Sequence, residues 1–157
     1  MKKIILVVFL AILFMGLVGC SANKNVEFKE FYSEVIGFNK DDEKSKPIEQ
    51  DTILMITNEN FQKFKDKYFT PRGIPVDTPN KEKAVLYLQI PSSTSQVNTY
   101  SVQSINIKNN TLAVNLEKSE VAQVDGKGGF SGTWKWVMFI EVDKADLKDN
   151  MKIVIKK

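Results

Sequence analysis

The chain has 157 residues, no histidine, a single cysteine, and 22 basic against 19 acidic side chains, a net charge of +3. Lack of histidine excludes Ser-His and Cys-His nucleophilic centres and the common zinc ligand sets. One cysteine excludes an intrachain disulfide, and so balanced a charge leaves no basic footprint for nucleic acid.

Lys2 and Lys3 precede an apolar run from Ile4 to Val18, broken only by Gly16. That run is shorter than the roughly 20 residues of a membrane span. It fits the apolar region of a secretory signal. It ends in Leu17-Val18-Gly19-Cys20, which resembles the lipobox of bacterial lipoproteins. The resemblance implies that residues 1–19 are a signal peptide. Diacylglyceryl transfer to the Cys20 sulfur, cleavage before Cys20, and acyl chains such as palmitate would follow. Several chains on one residue hold stably where one binds marginally. The mature chain is then a lipoprotein at the cell membrane, on its extracytoplasmic face, with the lipid as its only attached group.

Residues 20–25 read as a short polar tether, and 26–157 as one β-rich domain. "VEFKEFY" (26–32) reads as a first strand and "NKDDEKSKP" (39–47) as a solvated loop. "DTILMIT" (51–57) reads as a buried strand. In "NENFQKFKDKYF" (58–69), Phe61, Phe64 and Tyr68 share one face, so a short amphipathic helix is expected near 58–68, capped by Thr57 or Asn58. "TPRGIPVDTPN" (70–80) carries three prolines and a glycine and is a loop. "AVLYLQI" (84–90) is a strand, and "SSTSQVNT" (92–99) a polar loop.

"YSVQSINIKNNTLAVNL" (100–116) predicts a hairpin turning at Asn109-Asn110, because asparagine tolerates the positive φ such turns demand. That turn sets Ile107 opposite Leu112 and Ile105 opposite Val114. Apolar parity changes between Val102 and Ile105. A β-bulge near Gln103-Ser104 would restore Val102 opposite Leu116. "TWKWVMFIEV" (133–142) places Trp134, Trp136, Met138 and Ile140 on one face and Val137 and Phe139 on the other, the pattern of a central strand. "DKADLKDN" (143–150) is a turn or one helical turn, and "MKIVIKK" (151–157) a last strand. The expected fold is mainly β: an antiparallel β-sandwich or half-open barrel with one helix at its side.

Several apparent motifs fail on context. Gly126, Gly128 and Gly129 do not form a phosphate loop, because Lys127 comes too early and a strand follows instead of a helix. Asp143, Asp146 and Asp149 lack the spacing and later glutamate of a calcium loop. Ser21-Ala22-Asn23-Lys24 matches S-x-x-K, but in the tether. The residues therefore point away from an enzyme and from a metal.

The segment "IPVDTPNKEKAVLYLQIPSSTSQVNTYSVQSINIKNNTLAVNLEKSE" resembles the PrcB-like family, named for a protease-complex stability subunit. Val76-Asp77, Ala84 to Leu88, Tyr100-Ser101-Val102 and the late strand "WVMFIEVDK" follow the family order over a core of about 50–156. Asn98-Thr99 stands where the family has a glycine pair. The resemblance implies an extracytoplasmic lipoprotein that binds or stabilises an exported protease or another surface protein. "GKGGFSGTWKW" also resembles the glycine loop of chagasin-type cysteine-peptidase inhibitors, although no terminal R-P-W loop is present. A third reading is a small-ligand or cell-wall-glycan binder stacking on Trp134 and Trp136. Candidate partner-binding residues are Ser93, Thr94, Asn98 and Tyr100 from one loop, and Lys127, Gly128, Gly129, Phe130 and Trp134 from the other.

Overall fold

A computed structural model describes residues 23–38, 52–67, 79–92, 96–124 and 133–157. They form β1 (Lys24–Val26), β2 (Phe28–Phe38), β3 (Thr52–Met55), α1 (Asn58–Lys67), β4 (Lys83–Ser92), β5 (Gln96–Lys108), β6 (Thr111–Gln123), β7 (Thr133–Asp143) and β8 (Lys152–Lys156). One sheet has the order β1-β5-β6-β8 and the other β2-β7-β4-β3. The two sheets pack as a sandwich, and neither closes into a barrel. All pairs are antiparallel except β6 with β8, which is parallel.

Two apolar layers follow from period-two alternation. Ala84, Leu86 and Leu88 of β4 and Trp136, Met138, Ile140 and Val142 of β7 point between the sheets. They meet Val102 and Ile105 of β5 and Leu112, Val114 and Leu116 of β6. The intervening residues, Val85, Tyr87, Val137 and Phe139, face the other way and pack with Met55 under Phe61 and Phe64 of α1. Strands β4 and β7 are thus interior in their sheet and covered on both faces. This accounts for their near-continuous apolar sequence.

The helix starts as expected. The Asn60 amide donates to Thr57 Oγ1 at 3.1 Å, so Thr57 is the N-cap. Phe61 and Phe64 are its buried stripe, and residues 68 and 69 lie outside the described residues.

Registers carry the sharpest agreement. Asn109 and Asn110 have φ of 49° and 59°, the pair of positive values a type I′ turn requires. Ile107 pairs with Leu112, Ile105 with Val114 and Val102 with Leu116, with the shift between Val102 and Ser104. A second irregularity lies between Asn98 and Tyr100, with the extra residue on β6. There Thr99 Oγ1 donates to the Glu120 carbonyl at 3.4 Å and accepts from the Glu120 amide at 3.2 Å. A third shift lies between Glu30 and Tyr32 of β2. It sets Phe31 and Tyr32 on the same side, each with its ring centroid 6.0 Å from that of Phe139.

Several expected boundaries move. Lys24 and Asn25, read as tether, belong to β1, which pairs with β5. The expected first strand is two: the chain leaves one sheet at Val26 and enters the other at Phe28. The segment 92–99, read as loop, is strand from Gln96 onward, because β6 extends to Gln123 and supplies the partner. Residues 144–151 are turns without a helix. The Asp143 carboxylate accepts from the Ala145 amide at 2.9 Å there.

Phe139 is fully buried, with Tyr87 at 5.0 Å and Phe64 at 6.0 Å between centroids. Phe139→Ala should therefore cost about 3–5 kcal/mol in urea unfolding, the range for removing a core aromatic ring.

Candidate functional site

The strand ends decide which connections leave from the same end. Ser92 closes β4 and pairs with Trp134 at the start of β7, while Gln96 opens β5 and pairs with Gln123 at the end of β6. The connection 93–95 and the connection between β6 and β7 therefore leave from one end of the sandwich. The hairpin turn at Asn109-Asn110 marks the opposite end. Ser92 Oγ donates to the Gln96 carbonyl at 3.1 Å, which joins the two sheets at that corner.

Ser93, Thr94, Lys127, Gly128, Gly129 and Phe130 lie outside the described residues, as does Cys20. The other three candidates are placed. Asn98 is an exposed strand residue opposite Val121. Val121 is the exposed large hydrophobic residue among those described, at 42%. The apolar alternation that marks the hairpin ends at Leu116, so the sequence pattern gives Val121 no strand position. Tyr100 is half-buried and packs edge-on against Trp136, with centroids 5.5 Å apart. Trp134 is half-buried against the inter-sheet core. Trp136 is only 1% exposed, so it offers no stacking platform.

On the helix-side face, a polar group lies towards the same end. Glu34, Val137 and Gln89 are aligned across β2, β7 and β4, with Ile36, Lys135 and Pro91 in the next row. Tyr32 donates its hydroxyl hydrogen to Glu34 Oε2. Burial first, then that hydrogen bond and the carboxylate charge, hold the Tyr32 hydroxyl well above the usual tyrosine range. Burial alone does the same for Tyr87, whose hydroxyl lies 3.4 Å from Gln89 Oε1. Partial burial pushes the Lys135 ammonium down. The cluster contains no histidine and no thiol, and no group of potential metal ligands assembles among the described residues.

The outer face of the β1-β5-β6-β8 sheet carries an open hollow of about 530 Å³ beside Asn106, Thr111, Asn115, Lys108 and Lys156. Ser104 Oγ accepts from Asn115 Nδ2 at 2.7 Å and from Asn106 Nδ2 at 3.1 Å, which orders the two amides. It lies on the face turned away from both tryptophans.

Comparison with protein-family models, with curated proteins and with solved structures finds no match.

Two solution properties follow. Tryptophan emission should be blue-shifted and weakly quenched by iodide, since Trp136 is enclosed and Trp134 half-enclosed. Tyr32 and Tyr87 ionise less readily folded than unfolded, so their contribution to stability is complete below the unfolded value of about 10 and declines as pH rises through the folded values. An alkaline titration should show both phenols ionising late, with unfolding midpoints falling only above about pH 10.

Proposed function

We propose that the chain is a lipid-anchored, extracytoplasmic lipoprotein that works without catalysis, as a binding module for an exported protein such as a protease. One geometric observation carries the choice of surface. The β4–β5 and β6–β7 connections leave the same end of the sandwich, beside exposed Asn98 and Val121. A contact at that end would bury Val121, in keeping with the apolar centre of protein interfaces. The lipobox supports the anchor, and the absence of histidine supports contact over chemistry. The PrcB-like order of motifs supports an exported protease as the partner.

The test is affinity isolation of the intact lipoprotein from its own membrane in mild detergent. A stable exported partner is expected, and Val121→Asp should reduce its recovery at least tenfold, about 1.4 kcal/mol, with the unfolding midpoint unchanged. Recovery of the same partner at undiminished yield would remove this surface. Recovery of none would remove the binding-module reading.

A further inference from the structure

Lipidation of Cys20 would put the membrane at the end of the molecule opposite Asn98 and Val121. Only Ser21 and Ala22 separate Cys20 from Asn23, where the described residues begin. Three residue steps reach about 11 Å at full extension. Strand β1 starts at the hairpin end, with Lys24 opposite Ile107. Strand β5 has 13 residues, so the other end stands roughly 40 Å away. A tether that short holds the hairpin end within about 11 Å of the acylated cysteine and leaves the tilt of the long axis to contacts made at that end.

The hairpin end also has suitable chemistry. A hollow of about 270 Å³ lies between the hairpin and the turns of 144–151. Lys24, Lys108, Asn109, Asn110, Asp146 and Lys148 border it. Asp146 is the one carboxylate in this lining, and its charge is already engaged by Lys24. Lys108 and Lys148 are exposed on its rim. Two bonds hold the walls in place: Asn110 Nδ2 donates to the Asn150 carbonyl at 3.2 Å, and the Lys152 amide to the Asn110 carbonyl at 3.1 Å. Ammonium groups match a lipid phosphate, and asparagine amides match glycerol hydroxyls.

We propose that the hairpin end is a membrane-docking surface for anionic phosphoglycerol headgroups, which holds the sandwich upright with its Asn98–Val121 end outward. The acyl chains supply attachment, and the basic hollow adds orientation, since juxtamembrane lysines are drawn to anionic headgroups.

The proposal rests on lipidation of Cys20, and the test separates the two. Cys20 is the only cysteine, so once lipidated it leaves an introduced thiol as the unique labelling site. Asp149→Cys, Lys118→Cys and Val121→Cys sample the hairpin end, the middle and the far end. Each mature lipoprotein is labelled with a fluorophore and placed in vesicles of equal phosphatidylglycerol and phosphatidylethanolamine carrying a headgroup quencher. Quenching should be severalfold stronger at Asp149→Cys than at Val121→Cys, with Lys118→Cys between them. Adding Lys108→Glu and Lys148→Glu should flatten that gradient, as should replacing phosphatidylglycerol by phosphatidylcholine. A flat or reversed profile in the lipidated parent overturns the docking surface. A steep profile that ignores both charge changes overturns headgroup recognition. The mass of the mature chain reads the anchor independently: an unmodified Cys20 removes the anchored reading itself.

Discussion

Burial of both faces of β7 is the constraint on which the rest of the molecule depends. One set of side chains, Trp136, Met138, Ile140 and Val142, closes the space between the sheets, while Val137 and Phe139 close the space under the helix. Such a strand must be interior, because each face needs a cover and each edge a partner. Flanking β2 and β4 supply the partners, and the second sheet and α1 supply the covers. A one-residue slip would exchange the two sets, putting Trp136 under a short helix and Phe139 among the residues of the facing sheet. The register of β7 thus fixes the identity of both layers.

The bulges solve a matching problem posed by that arrangement. Strand β2 must send Phe28 and Val35 inward and Phe31, Tyr32 and Ile36 towards the helix, which strict alternation cannot do. The extra residue at Phe31 resolves the parity and doubles the aromatic contact on Phe139. In β5 the shift near Gln103 does the same for Val102 and Ile105. Because β1 covers β5 only opposite residues 105–107, the Val102 amide lies on a bare stretch of edge. The Glu30 carboxylate of β2 accepts its hydrogen, so a side chain from one sheet completes the edge of the other.

Much of this was legible because it rests on local rules. The hairpin, its Asn109-Asn110 turn and the Gln103 bulge follow from period and turn chemistry within one stretch of chain. The two-faced burial of β7 shows as apolar residues at successive positions. What could not be read depends on distant partners. Gln96, Asn98 and Thr99 are polar and make the segment resemble a loop, yet it carries buried Val97 and pairs with a β6 extension whose "EKSEVAQ" is mostly polar. The parallel pairing of β8 with β6 leaves no mark on the short "KIVIK" run, since its alternation is the same for either direction. Of the candidate site, the shared end of the two connections is a property of topology. Tyr100 and Trp134 show how an aromatic beside a polar loop is divided between core and surface.

The sheet switch at Glu27 links the two ends of the molecule. β1 and β2 run in the same direction as nearly one strand, with the Glu27 carbonyl accepting from the Asp143 amide at 2.9 Å where the chain crosses. The segment nearest the proposed anchor therefore contributes three paired residues to one sheet and then ten pairs along β7 in the other. A load applied at Cys20 would act along these strands, across hydrogen bonds that must shear together. It would pass directly into β7, the strand that carries both cores. A tether attached to a peripheral loop would have to drag the same domain through a few local contacts. An attachment at the proposed anchor would instead load both sheets together, through the β1–β2 segment that pairs in each of them.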